Sequence, residues 1–295
     1  MSASELNPRE DLFPRRIVCL SDEATELLYL LGEQERIVGV SGFSTRPLEA
    51  RSKPKVSTFR DANFEAIEQL KPDLIITYSD VQAEISRQAV LRGLTVFNFN
   101  QRSIAEIFDF ISLIARIVGK EDQGNALISA YRDGFKRIAA AAKEFPRRPR
   151  VFFEEWKDPL ISGIRWVEEL IETAGGEPIF PELRDRRKAK ERVVDSAEVI
   201  RRNPDVIIAS WCGMKANKQE ISSRPGWEKI AAVRDGRIYE IRSSFILQPG
   251  PASLTEGVRQ LHWILSHVVG HEVAEEIMPS EKCDPDVPAS PSDNS

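Results

Sequence analysis

Apolar residues in this chain follow two rhythms that alternate from Arg16 onward. Residues 17–20 form an unbroken apolar run, the mark of a short strand covered on both faces. Residues 23–31 then repeat apolar side chains at helical spacing, with Ser21 or Asp22 available as cap and Gly32 as stop. Further strands are expected at 37–40, 74–77 and 95–99, and helices from Asn63 to Leu70 and over 81–91. Strands separated by helices of this length predict a parallel sheet with right-handed crossovers.

The alternation then stops. Ile104, Ile107, Phe108, Ile111, Ile114, Ala115 and Val118 make one helical stripe that breaks near Gly119. Leu127, Tyr131, Phe135, Ile138 and Ala142 make a second, ending before Pro146. A helix over 121–143 would be roughly 35 Å long at 1.5 Å per residue, long enough to run along two lobes and to permit only modest closure between them. Strand–helix alternation resumes at Arg150, with strands expected at 151–153, 206–209 and 238–241 and helices near 166–174, 227–230 and 253–269. The expected fold class is α/β: two Rossmann-like lobes with parallel sheets joined by a long α-helix. The bounds read as an N-terminal extension 1–15, a lobe 16–102, linking helices 103–146, a second lobe 147–278, and a disordered tail 279–295 rich in Pro, Ser, Asp and Glu.

An internal echo relates the two lobes. Gln69-Leu-Lys-Pro-Asp-Leu-Ile-Ile76 matches Arg201-Arg-Asn-Pro-Asp-Val-Ile-Ile208 in character. Each is the end of a helix, a Pro-Asp turn and a buried strand, and each leads to an aromatic, Tyr78 or Trp211. Both helices carry an early glutamate, so duplication is the reading.

Composition narrows the function classes. The chain has 295 residues, 41 basic and 46 acidic, for a net charge of −5. That balance argues against a nucleic-acid binder, which needs a basic surface. No apolar run approaches the ~18 residues of a membrane-spanning helix. Nor is there the apolar stretch of about 7–15 residues that a signal peptide carries after its basic start, so Cys19 reads as part of a buried strand. Cys19, Cys212 and Cys283 share no metal-ligand spacing.

Catalytic signatures are missing from the sequence: no phosphate-binding Gly-x-x-x-x-Gly-Lys, no Gly-x-Gly-x-x-Gly after the first strand, no Gly-x-Ser-x-Gly elbow. The three histidines, His262, His267 and His271, fall in or after the final helix; His267 and His271 could share a face, but no third ligand lies near in sequence, so no metal site is expected. Glu154, Glu155 and Asp158 could be acid–base groups, but read better as a solvated loop edge. What remains is a set of aromatics at strand ends: Phe43, Phe59 and Tyr78 in the first lobe, Trp156 and Trp211 in the second. Ligands of open α/β sheets bind beyond the carboxyl ends of strands, so these rings are expected to wall one cleft and to suit a large, flat ligand. Phe245 joins them on the same argument.

Three segments of the first half carry a family resemblance: the one opening at Arg16-Ile-Val-Cys, Ile37-Val-Gly-Val-Ser-Gly-Phe-Ser-Thr-Arg-Pro47, and Asn63-Phe-Glu-Ala-Ile-Glu. Pro159-Leu-Ile-Ser-Gly163, Ala174-Gly-Gly-Glu-Pro-Ile-Phe180 and Asp235-Gly-Arg-Ile-Tyr239 extend it. Over about 16–269 the chain resembles the substrate-binding proteins of ABC importers of the long-helix, two-lobe class, and most of all their cobalamin-binding branch. The resemblance implies a non-catalytic monomer with no cofactor, binding a corrinoid between its lobes. It places Phe43, Phe59, Tyr78, Trp156, Pro159, Leu160 and Arg192 at ligand-contact positions. It also implies that Glu65 and Glu198 dock the lobes onto an ABC permease dimer, although a carboxylate in a first helical turn also favours the helix dipole. The family works outside the cytoplasmic membrane, whereas the N-terminus as written implies the cytoplasm. Two other readings stand beside it: haem or a ferric siderophore, with Arg46, Arg60, Arg165 and Arg192 as candidate cations, or a cytosolic corrinoid-handling protein or enzyme on the same fold.

Overall fold

The computed structural model describes residues 14–280. The chain divides into two compact units, one holding the described residues to Gln101 with Ala105–Ser129, the other Arg102–Ile104 with the described residues from Ala130. The first unit contains β1 (Ile17–Cys19), α1 (Asp22–Leu30), β2 (Ile37–Ser41), β3 (Lys55–Ser57), α2 (Phe64–Gln69), β4 (Leu74–Tyr78), α3 (Ala83–Leu91) and β5 (Val96–Phe99). Its sheet runs β3-β2-β1-β4-β5, all parallel. Every residue of β4 is buried, as an unbroken apolar strand requires.

Two helices follow, α4 (Ile104–Ile117) and α5 (Glu121–Ala142), the second passing from one unit into the other. Within the first unit they cross tightly at Gly124, where a Cβ would stand 2.4 Å from that of Ala115.

The second unit is built from β6 (Arg150–Lys157), β7 (Leu160–Ser162), α6 (Arg165–Thr173), β8 (Glu177–Pro178), α7 (Ser196–Arg202), β9 (Val206–Ala209), α8 (Lys218–Ser222), α9 (Ala231–Arg234), β10 (Ile238–Glu240), α10 (Ser243–Ile246) and α11 (Val258–Val269). The order is β10-β9-β6-β7, with β8 also paired to β6. Each unit is thus a Rossmann-like layer of mostly parallel strands between helices.

The all-parallel expectation needs one correction: β7 is antiparallel to β6. Asp158 and Pro159 reverse the chain there and make a hairpin where a loop was expected. Strand β3 adds a fifth member to a sheet read as four. Its Lys-Val-Ser sequence buries only Val56 and follows Pro54, the habit of an edge strand.

The internal echo extends to the backbone. Lys71 and Asn203, each just before the proline, take left-handed φ values of 47° and 46°. Asp73 then accepts from the Arg16 amide at 2.9 Å, and Asp205 from that of Arg150 at 2.8 Å. Each Pro-Asp turn therefore clamps the start of its unit's leading strand. The expected tail from 279 lies almost wholly outside the described residues, as do Cys283 and most of the N-terminal extension.

Candidate functional site

All five strands of the first sheet end on one edge, where the loops after β2 and β3 and the end of β4 carry Phe43, Phe59 and Tyr78. Phe43 projects from a pinned turn. Its amide donates to Ser41 Oγ at 3.1 Å, and the next residue, Ser44, gives its hydroxyl to Asp22 Oδ1 at 3.0 Å. Burial pushes the Asp22 carboxyl up to about 6. Phe43 itself remains 45% exposed. Phe59 and Arg60 occupy the corner of a tight reversal after β3, closed by Thr58 N–H to Asp61 O at 2.8 Å and Asn63 N–H to Val56 O at 2.8 Å. Phe59 is 38% exposed and Arg60 is exposed beside it. Tyr78 closes β4 and is buried. Ser79 after it has φ 62° and ψ 179°, a conformation that costs a residue with a side chain about 1–3 kcal/mol and that clusters at functional sites.

In the second unit the β6–β7 hairpin carries three of the expected contacts. Trp156 is half-buried, its indole N–H given to Asp158 O at 3.0 Å; Pro159 is exposed at the turn; Leu160 packs partly against the core. Trp211, Arg192 and Phe245 are buried, to 1, 1 and 3% exposure. Trp211 belongs to the core cluster with Phe152, Ile221 and Trp227 and donates to Glu154 Oε1 at 3.0 Å. It supports the edge from beneath. Arg192 grips Glu155 with two bonds, at 2.6 and 3.0 Å, and also donates to Ser162 O.

The acidic stretch of β6 is likewise not a solvated edge. Glu154 is fully buried, and Arg224 donates to its two oxygens at 2.6 and 2.8 Å while lying 4.5 Å over the Trp227 ring. Adjacent carboxylates on one strand thus take one arginine each, from 70 and 37 residues away. Lys157, the next cation along, pairs with Glu220 at 2.9 Å and stands 4.9 Å over the Trp211 ring.

Glu168, on α6, is 2% exposed, and burial pushes its carboxyl from 4.5 up to about 8, over the opposing pull of Arg184 and Arg192. Arg184 bonds Glu172 and comes no nearer to Glu168 than 3.6 Å. The folded state keeps a proton that the unfolded chain loses above about pH 4.5, so this group's contribution to stability falls between about pH 4.5 and 8. Glu168→Gln is expected to gain on the wild type across that window, by about 1.4 kcal/mol for each pKa unit of separation. Urea unfolding at pH 5 and pH 8.5 checks this; a constant difference between the proteins would contradict it.

Glu65 and Glu198 both lie in first helical turns but differ in state. Glu65 is exposed and unpaired. Glu198 accepts from Arg201 and Arg202 at 2.6 Å each, and these bonds hold its carboxyl down at about 2. Among the described residues no group of three or more His, Cys, Asp or Glu is arranged to hold a metal ion, and no helix is long and apolar enough to cross a membrane.

Comparison with known proteins agrees with the fold. The uncharacterized ABC transporter substrate-binding lipoprotein YvrC of Bacillus subtilis is 29% identical, over 84% of this chain and 79% of its own length. A vitamin B12-binding protein of Vibrio vulnificus is 26% identical, over 81% of this chain and 86% of its own. A solved structure of a possible iron-binding (periplasmic solute-binding) protein from Staphylococcus epidermidis superposes with a TM-score of 0.73 at 25% identity, covering 85% of this chain and 98% of that one. The periplasmic binding protein family matches residues 17–245, most of the chain, and the protein belongs to that family.

Proposed function

We propose that this protein is the substrate-binding component of an ABC importer and that it binds a corrinoid such as cobalamin, unchanged, at the carboxyl edges of its sheets. The observation that carries the reading is the make-up of those edges: partly exposed aromatic rings stand there, while three of the four candidate arginines are already paired. Phe43, Phe59 and Trp156 offer flat apolar surface. Of the four candidate arginines, Arg46 bonds Glu26 at 3.2 Å, Arg165 bonds Glu169 and Asp185, and Arg192 bonds Glu155. Arg60 alone is exposed without an ion pair. A ligand with several carboxylates would find three of these four arginines already paired, and an unpaired buried anion is costly. A corrin ring edged by neutral amides, with a single phosphodiester, asks for no more than one cation. The Vibrio relative is named for the same ligand.

Parallel calorimetric titrations with cyanocobalamin, haemin and a ferric siderophore test the choice. Saturation by cyanocobalamin alone supports it; tight binding of either iron ligand, with cyanocobalamin inert, overturns it. Haem has one observation in its favour: Cys212 and Met214 are exposed in the turn after Trp211, where a sulfur could reach iron.

Docking on a permease through Glu65 and Glu198 belongs to the same proposal, with unequal shares. Glu65 is ready to meet a cation, whereas Glu198 must first release two arginines. Glu65→Ala is therefore expected to weaken association with the solubilised permease severalfold more than Glu198→Ala, measured as affinity. Equal losses would count against that asymmetry.

A further inference from the structure

One buried amide ties together the carboxyl edge of the first unit. Gln82 lies in the turn Asp80–Gln82 between β4 and α3 and is 1% exposed. Its Nε2 donates to Leu20 O at 2.9 Å, just past β1, and to Phe59 O at 3.3 Å, at the corner after β3. Its Oε1 accepts from the Tyr78 amide at 2.9 Å, at the end of β4. Three strand ends thus meet on one side chain, across 62, 23 and 4 residues of sequence.

The chemistry of those partners fixes which way the amide faces. Two of them are carbonyl oxygens and need donors; the third is an N–H and needs an acceptor. Only a carboxamide supplies two donors and an acceptor in that arrangement. The left-handed backbone of Ser79 returns the chain so that Gln82 reaches back to Tyr78, and Ser79 is itself held by Val81 N–H to its Oγ at 3.2 Å and by Asn98 Nδ2 to its carbonyl at 3.2 Å. A residue that merely filled space there would not need such a matched set.

We propose that Gln82 is the positioning residue of the binding edge, fixing the Phe59 corner relative to Tyr78 so that the aromatic surface is set before the ligand arrives. The inference rests on the reading of this edge as a ligand site. It implies that ligand affinity follows the donor capacity of residue 82, beyond its volume.

Gln82→Glu separates the two roles, because it keeps the shape and makes the donors depend on pH. Ionised, the carboxylate faces two carbonyl oxygens with nothing to donate; protonated, it regains one donor. Titratable or charged neighbours on the joined segments are Asp22 after Leu20, Arg60 and Asp61 at the corner, and Asp80 beside Gln82, with Glu84 at the start of α3. Asp22 titrates near 6, so the variant is read as its difference from wild type at each pH.

The experiment uses the full chain as wild type, Gln82→Glu and Gln82→Met. Cyanocobalamin affinity is measured by calorimetry from pH 5 to 8.5, and amide hydrogen exchange is followed over 56–62 and 76–82 in the ligand-free proteins. Gln82→Glu should lose at least tenfold in affinity at pH 8.5 relative to wild type and recover most of it at pH 5. Exchange at the Phe59 corner should rise and fall with the same pH dependence. Gln82→Met should be weakened at every pH, and it carries the comparison if the glutamate variant unfolds at high pH. Wild-type affinity in both variants overturns the proposal, as does unchanged exchange at the corner. If wild-type protein does not bind cyanocobalamin, the ligand reading fails and the exchange arm decides alone: pH-dependent loosening in Gln82→Glu supports positioning, and its absence refutes it.

Discussion

Arg224→Met is expected to lower the unfolding free energy by about 3–5 kcal/mol, because it strands the Glu154 carboxylate in the core without its cation. Glu154 is fully buried and would keep only the Trp211 indole N–H as a donor. The pair Glu154→Gln with Arg224→Met should recover most of the loss, since a neutral amide is far easier to leave in that place than a charge. Urea unfolding of the wild type, the single variant and the double variant measures the difference. A single variant within about 1 kcal/mol of wild type would show that the carboxylate is not held as described.

Phe59→Ala and Trp156→Ala should each weaken corrinoid binding ten- to about a hundredfold, a loss of about 1.4–3 kcal/mol, as expected when a large ring is removed from a binding surface. Stability should change less in the Phe59 variant than in a core variant, since Phe59 is 38% exposed. Trp211→Ala is expected to behave in the opposite way. Its ring sits in the core of the second unit, and removal should cost about 3–5 kcal/mol of stability whatever the ligand does. Calorimetric titration and thermal unfolding of the same three variants separate the two patterns. Strong destabilisation by Phe59→Ala, or weak destabilisation by Trp211→Ala, would reverse the assignment of surface and support.

The contrast between Trp211 and Phe59 shows how far the sequence could be read. Strands buried on both faces, such as β4 and β9, are visible as continuous apolar runs, and helices with a capping residue, such as Ser21 before α1 or Asn63 before α2, are visible at their starts. The Pro-Asp echo is legible because both copies clamp the leading strand of their unit. Edge strands are not visible, because β3 has one buried residue and β8 has two residues in all. Position after a strand also says that a ring is near the carboxyl edge without saying which way it faces. Phe59 sits at the corner of a reversal and is 38% exposed, while Trp211 is buried with its N–H given to a buried carboxylate. The arginines that pair with Glu154 and Glu155 lie far along the chain, so local reading left these acids as solvated, when Glu154 is buried, Glu155 is partly so, and each is held by an arginine. Gln82 leaves little local trace, since two of its three partners lie 62 and 23 residues away.

The central claim is that partly exposed aromatic rings, beside arginines three of which are already paired, suit this protein to a corrinoid. Its most direct test is a titration of the purified chain with cyanocobalamin, followed by calorimetry and tryptophan fluorescence. The account predicts saturable one-to-one binding that changes little between low and moderate salt, because little of the affinity comes from ion pairing. An absence of saturable binding, or an affinity that collapses as salt is raised, would contradict it.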